Sequence, residues 1–195
     1  MKLAIVIPAH NEAKTIGTLV KSNIEAGYEV IVIDDGSLDD TAILAKTQGA
    51  FVISTHQKSG KGNALRLAFN HVLTKDYDAI IMMDGDGQHA VSDIPHFVEC
   101  YQKYHADIVN GNRMENTKDM PWLRKMTNRF MSGLISLVCR QKIADTQCGF
   151  RLISTKALRA IELKSNDFEI ETEILIKASK KGFRIVSVNV QTIYR

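Results

Sequence analysis

Short, uninterrupted apolar runs alternate with amphipathic stretches along the whole chain. The runs over 3–7, 29–33, 50–53, 79–83, 107–110 and 184–190 are too short for helices. Most lack the polar alternation of a half-exposed sheet, so they read as strands buried on both faces. Between them, helical spacing extends over 12–25, 39–48, 61–73, 92–104, 122–139 and 169–181. Strands and helices that alternate in this way imply right-handed crossovers, an α/β architecture and a mainly parallel sheet flanked by helices. No repeat, low-complexity tract or Pro/Gly/Ser linker interrupts the pattern, so a single domain over 1–195 is expected.

In open α/β sheets, ligands bind beyond the carboxyl ends of the strands. Here those ends read Pro8-Ala9-His10-Asn11-Glu12, Asp34-Asp35-Gly36-Ser37, Asp84-Gly85-Asp86 and Gly111-Asn112-Arg113, which places polar groups along one edge. Asp84 and Asp86, with Gln88 or His89 close behind, offer the hard oxygen ligands that a divalent cation takes when phosphates complete its shell. Taken alone, a turn after a strand is the commoner source of Asp-Gly-Asp. Ser37 and Asp40 match a capping box opening the second helix. Asp34 and Asp35 repel each other unless something neutralises or hydrogen-bonds them, as a ribose hydroxyl pair or a base N–H does.

Glu12 suits the first turn of a helix, and Pro8 and Asn11 suit a turn. Neither the dinucleotide-binding Gly-x-Gly-x-x-Gly nor the Walker loop occurs there. The glycine-rich loop comes later, at Lys58-Ser59-Gly60-Lys61-Gly62-Asn63-Ala64. It reads either as an exposed basic loop or as a helix amino end placed for a diphosphate.

Over 121–134, Trp122, Met126, Phe130 and Leu134 make one helical stripe, expected to pack into the core. Arg124 and Asn128 line another face. Arg113 and Arg124 beside a metal site suggest a phosphate clamp. The histidines show no metal-ligand spacing, which leaves all but His89 as background. Asp145-Thr146-Gln147-Cys148-Gly149-Phe150-Arg151 reads as a loop that positions the sheet edge.

A 45% hydrophobic content and a formal charge of +3 describe an ordinary soluble globular chain, too mildly basic to argue for nucleic acid. No apolar run is long enough to span a bilayer, and the amino-terminal run is too short for a signal peptide, so a cytoplasmic location is expected. Cys100, Cys139 and Cys148 suggest neither a disulfide framework nor a zinc site and read as buried or bystander thiols.

Taken in order, Pro8-Ala-His-Asn-Glu12, Val32-Ile33-Asp34-Asp35-Gly36-Ser37-x-Asp39-x-Thr41, Lys58-x-Gly60-Lys61-Gly62-x-Ala64, Asp84-Gly85-Asp86-Gly87-Gln88-His89 and Asp145-Thr-Gln-Cys-Gly-Phe-Arg151 resemble the family 2 glycosyltransferases. The nearest likeness is to the polyprenyl-phosphate branch, which includes dolichyl-phosphate mannosyl- and glucosyltransferases. The resemblance covers essentially the whole chain. It implies the GT-A fold, a nucleotide-sugar donor (GDP- or UDP-sugar), Mg²⁺ or Mn²⁺, inversion at the anomeric carbon and a polyprenyl phosphate acceptor.

By that resemblance Pro8, Ala9, Glu12, Asp35 and Ala64 hold the nucleotide, together with Asp34, Lys61 and Gly85, and Arg195 matches a late arginine that meets the donor phosphate. Asp84, Asp86 and Gln88 hold the metal. The acceptor phosphate falls to Arg113, Arg124 and Asn128, the last standing where close relatives often carry Ser. A polyprenyl tail stays in lipid, so work at the inner face of the cytoplasmic membrane is expected, with the Trp122 helix as a contact.

Three other readings share parts of the pattern. A saccharide hydroxyl acceptor needs a general base, for which Asp145 is the candidate. A sugar-phosphate nucleotidyltransferase should carry a glycine- and basic-rich loop after its first strand, which Pro8-Ala9-His10-Asn11-Glu12 is not. A non-catalytic nucleotide-sugar binding module has no need of the metal carboxylates and both arginines. Donor sugar and oligomeric state stay open.

Overall fold

A computed structural model of the chain describes residues 1–115 and 121–193. Among these, β1 (Leu3–Ala9), β2 (Glu29–Asp34), β3 (Phe51–Ser54), β4 (Ala79–Met82), β5 (Ile108–Asn112), β6 (Arg151–Ser154) and β7 (Ile185–Asn189) form one seven-stranded sheet in the order β3-β2-β1-β4-β6-β5-β7. All neighbouring pairs are parallel except those of β6, which runs antiparallel to both β4 and β5. The helices are α1 (Ile16–Glu25), α2 (Thr41–Thr47), α3 (Lys61–Leu73), α4 (Ile94–Tyr104), α5 (Trp122–Cys139), α6 (Thr155–Ala160) and α7 (Glu169–Lys180). From β1 the chain winds outward through β2 to β3, then crosses to β4 on the other side of β1, which opens a crevice at that reversal.

The uninterrupted apolar runs have a direct cause, because each face of the sheet has its own core. Val6, Ile31 and Ile80 face Leu65, Phe69 and Ile174 of α3 and α7. Their sequence neighbours Ile5, Val32 and Ile81 face Ile16, Val20 and Phe97 of α1 and α4. A side chain pointing either way therefore meets apolar partners.

Four expectations are corrected. The segment ending in Arg151 is not at the sheet edge: it enters β6, in the interior of the sheet, and α6 follows at once. Helix α1 begins at Ile16 rather than at Glu12, whose carbonyl accepts the Thr15 and Ile16 amides in a preceding turn. The Ser37–Asp40 capping box does not form. Ser37 Oγ instead accepts the Asn11 amide at 2.9 Å, and the Asp39 carboxylate takes the Thr41 amide at 3.1 Å and the Ala13 amide at 3.1 Å. These bonds stitch the loop after β1 to the loop after β2.

The fourth correction concerns α5, which is turned inside out. Trp122, Met126, Phe130 and Leu137 are 60–77% exposed, while Asn128, Ser132, Ile135 and Cys139 face inward. Periodicity correctly finds an apolar face but does not say what covers it. The polar inner face is held by the loop before β6. Ser132 Oγ accepts the Thr146 amide at 2.9 Å, and Ser136 Oγ accepts the Ile143 amide at 3.0 Å and donates to its carbonyl at 3.1 Å.

Glu173 in α7 fixes the connection from α6 to α7, because its carboxylate accepts the Lys164 and Ser165 amides at 2.9–3.0 Å and pairs with Lys177 at 2.7 Å. Burial pushes its carboxyl up from the ordinary 4.5, but Lys177 and the two amides outweigh this and hold it at about 2. A depressed carboxylate stabilises the fold above its unfolded pKa, and that contribution is lost as pH falls toward the folded value. Glu173→Gln should therefore cost about 1–2 kcal/mol at neutral pH. In urea titrations, its deficit from wild type should shrink as pH is lowered from 4.5 toward about 2.

Candidate active site

The strand ends bring the expected donor residues to one place. Pro8, Ala9, Glu12, Asp35, Lys61, Ala64, Asp84, Gly85 and Asp86 all line a single cavity of about 400 Å³. Asp34 does not reach it: Asp34 Oδ1 accepts the Ser37 amide at 3.2 Å behind the wall. Arg195 lies outside the described residues. His10, read as background, belongs to the wall, with Nδ1 2.8 Å from the Asp35 carbonyl oxygen.

Asp35 is satisfied by the chain itself. Its carboxylate accepts the Ser59 amide at 2.8 Å, the Ser59 hydroxyl at 2.7 Å and the Gly60 amide at 2.8 Å. Burial pushes its carboxyl up, yet these bonds and one from Thr55 hold it below its ordinary value. The amides of Gly62 and Asn63 donate to the Asn166 carbonyl at 2.7 and 3.2 Å. A Cβ at Gly62 would fall 2.4 Å from the Ser165 carbonyl oxygen, so only glycine permits this approach. The glycine-rich loop is therefore not an open backbone cradle for phosphate. It delivers the Lys61 side chain to the cavity, with Lys58, Gly60 and Ala64 beside it in the wall.

Lys61 Nζ lies 2.5 Å from Asp84 Oδ1 and 2.5 Å from Glu171 Oε1. The other Asp84 oxygen is 3.2 Å from His89 Nε2. Burial pushes the Asp84 carboxyl up, but His89 and Lys61 outweigh it and hold the group well below the usual carboxylate range. Burial likewise opposes the charge of Lys61, but Asp84 and Glu171 raise it above its ordinary value. Gly149 backs directly onto Asp84, where a Cβ would lie 2.5 Å from Oδ2. Asp86 Oδ1 accepts the Gln88 amide within its own turn at 2.9 Å. Burial raises Glu12, with Thr15 opposing the rise and the charges of Asp86, Asp39 and Asp84 adding to it.

A second cavity of about 240 Å³ adjoins the first, and Lys61, Asp84, Asp86 and Phe168 belong to both walls. Arg113, Arg124, Gln88 and His89 line it. Arg113 is fastened rather than free: Nε lies 2.7 Å from Asp145 Oδ2 and Nη2 3.1 Å from Oδ1. Burial disfavours its charge, and Asp145 more than restores it. Asp145, fully buried and occupied in this way, orients an arginine and has no free oxygen for the base role considered above. Asn128 is buried outside this lining, its Nδ2 without a partner among the described residues. Burial pushes the Cys148 thiol up to about 12, which makes it inert.

Sequence reasoning missed Glu171 and Phe168. An acid in the first turn of α7 reads as an ordinary partner of the helix dipole, and only the fold brings it to Lys61.

The two oxygen-bearing residues fit a divalent cation that brings phosphate ligands with it. Among the described residues no group of three or more His, Cys, Asp and Glu side chains converges to hold an ion unaided. Asp84 and Asp86 are hard donors at the junction of the cavities, and the ammonium already seated on Asp84 marks a place where positive charge is held.

Residues 4–162 match the family described as Glycosyl transferase family 2. A UDP-N-acetylglucosamine–dolichyl-phosphate N-acetylglucosaminyltransferase of Methanococcus voltae is 29% identical over 97% of this chain and 85% of its own length. An undecaprenyl-phosphate mannosyltransferase of Micrococcus luteus is 29% identical over 100% of this chain and 85% of its own. Among solved structures, glucosyl-3-phosphoglycerate synthase from Mycobacterium tuberculosis, in complex with Mg²⁺ and UDP, superposes with a TM-score of 0.76 at 22% identity, covering 100% of this chain and 71% of that one. That likeness establishes the fold.

The Arg113–Asp145 pair has a measurable signature. Arg113→Ala should destabilise the protein by about 3–5 kcal/mol, since it leaves a buried carboxylate without its countercharge. Arg113→Ala with Asp145→Ala should recover part of that loss in a double-mutant cycle read by urea unfolding.

Proposed function

This chain belongs to glycosyl transferase family 2, and we propose that it moves a sugar from a nucleotide-sugar donor to the phosphate of a polyprenyl phosphate, with inversion at the anomeric carbon. The observation that carries this reading is the junction of two cavities at Asp84, Asp86 and Lys61, one walled by the donor residues and the other by Arg113 and Arg124. The relatives named for dolichyl-phosphate and undecaprenyl-phosphate transfer point to the same acceptor class.

In this mechanism Pro8, Ala9 and Asp35 seat the nucleoside of a GDP- or UDP-sugar, and Lys61 faces its diphosphate. Asp84 and Asp86, with Gln88 beside them, would hold Mg²⁺ or Mn²⁺. Such an ion supplies charge neutralisation for the departing nucleoside diphosphate. Arg113, set in orientation by Asp145, and Arg124 hold the acceptor phosphate. A phosphate monoester has its second pKa near about 6, so its oxygen is already ionised at neutral pH. That oxygen forms the new bond to the anomeric carbon as the bond to the diphosphate breaks, and no proton has to be removed. This suits a site whose one candidate base, Asp145, is bound to Arg113.

The exposed apolar face of α5 gives the lipid-borne acceptor a surface to arrive on. The helix carries Arg124, Lys125 and Arg129 and no acidic residue, which suits anionic headgroups beside an apolar layer at the inner face of the cytoplasmic membrane. No helix among the described residues is long and apolar enough to cross a membrane.

Purified protein with Mg²⁺, a panel of nucleotide sugars and undecaprenyl phosphate should form a glycosylated lipid phosphate. Nucleoside triphosphate use with pyrophosphate release would instead mark a nucleotidyltransferase, and binding without turnover a non-catalytic module. Asp86→Ala should abolish transfer while leaving circular dichroism and the unfolding midpoint unchanged; retained turnover would overturn the metal assignment. Thermal-shift screening of GDP and UDP with Mn²⁺ should identify the base, since the cognate nucleotide stabilises the folded form. Liposomes containing anionic phospholipid should co-sediment the protein at low salt and release much of it when Phe130→Ser and Leu137→Ser are combined. Equal binding by the variant would remove α5 as the contact.

A further inference from the structure

Lys61 reaches the floor of the site from the first position of α3, and its side chain is 14% exposed. Its ammonium bridges two carboxylates that come from opposite sides of the crevice, Asp84 at the end of β4 and Glu171 in the first turn of α7. The Asp84 oxygen that it does not take lies against His89 Nε2 at 3.2 Å. Both oxygens of one of the two candidate metal carboxylates are therefore already engaged by nitrogen. Among the described residues, Asp86, the other, accepts only the Gln88 amide of its own turn. An ammonium at 2.5 Å from Asp84 Oδ1 and a dication bound to that same oxygen would be neighbouring like charges, and in a half-buried crevice their repulsion is large.

Glu171 gives the ammonium a second place to rest. It is held from behind, with its carbonyl accepting Arg151 Nη1 and its Oε2 3.8 Å from Arg151 Nη2. Lys61 can therefore leave Asp84 without leaving a countercharge, provided that something anionic enters beside it. Lys61 lines both cavities, whereas Glu171 belongs to the wall of the second, so the ammonium turns at the junction between them.

We propose that Lys61 is a resident cation exchanged at Asp84 during donor loading. The ammonium keeps Asp84 neutralised while the site waits, and it swings on its Glu171 tether toward the diphosphate when a metal–nucleoside diphosphate complex enters. The site thus discriminates against the free divalent ion and accepts the ion with its diphosphate. Glu171 is a positioning residue that acts through Lys61. The inference rests on the metal reading of Asp84 and Asp86 given above.

Mn²⁺ binding, followed by the electron paramagnetic resonance signal of the free ion, tests it without any turnover. Wild-type protein should bind Mn²⁺ alone weakly, and at least about tenfold more tightly with the GDP or UDP that stabilises it in a thermal-shift screen. Lys61→Met should bind Mn²⁺ alone about tenfold more tightly than wild type, because one unit of positive charge is removed beside the ligand. In that variant the nucleotide's enhancement should be largely lost. Lys61→Arg, which keeps the charge, should keep the weak binding of the free ion, so a gain in both variants would overturn the proposal. Glu171→Gln removes the tether and should weaken Mn²⁺ binding with the nucleotide severalfold, with no gain for Mn²⁺ alone.

If Lys61→Met binds free Mn²⁺ no better than wild type while the nucleotide still promotes Mn²⁺ binding to wild type, the exchange is refuted and the metal reading stands. If wild type binds no Mn²⁺ even with GDP or UDP, the metal reading itself fails and the exchange fails with it.

Discussion

A guanidinium sealed from water holds the two halves of this site at their working distance. Arg151 is fully buried, and its nitrogens donate to the carbonyls of Thr146, Cys148 and Glu171. Burying an arginine costs several kcal/mol unless its donors are met, and here backbone oxygens from two separate segments meet them. One segment carries Asp145, which aims Arg113, and Gly149, which abuts Asp84. The other carries Glu171, which holds Lys61. Arg151 thus ties the segment that aims Arg113 to the one that holds Lys61.

Most of the charge in the crevice is spoken for before any ligand arrives. The Asp35 carboxylate is met by Ser59 and Gly60, and that of Asp84 by Lys61 and His89. The Asp35 and Asp84 carboxylates are thus held in set orientations by the chain's own donors. The same economy reaches α5. Its inward hydroxyls hold the Ile143–Thr146 backbone, so the helix that presents Trp122 and Phe130 outward also supports the loop behind Arg113.

Much of this was legible in the amino-acid order. Strands β1, β2, β4 and β5, covered on both faces, leave unbroken apolar runs, the edge strands β3 and β7 are apolar enough to be found with them, and the bounds of α3 and α5 follow from periodicity alone. The meeting of most of the expected nucleotide residues in one cavity has a topological reason: strand ends at a chain reversal face a crevice. Strand β6 was not, because Arg151 and Ser154 flank only Leu152 and Ile153 and an arginine argues against a buried strand. The orientation of α5 was hidden because an apolar stripe looks the same whether it faces the core or the outside. Residue type makes Asp145 a candidate base, and only the fold places both its oxygens on the Arg113 guanidinium.

The late insertion of β6 between β4 and β5 also governs how the molecule comes into being. Lys61 and Glu171 are 110 positions apart, and the contacts of Arg66 with the 165–166 segment span 99 and 100. Pairings of that range carry a large loop-closure entropy and slow the folding of a sheet that needs them. The β1–β2–β3 half can pair from contiguous sequence, but the crevice has no far wall until the chain has returned from beyond α5. A chain cut short after α6 would therefore lack Glu171 and the 165–166 segment, and with them one side of the crevice.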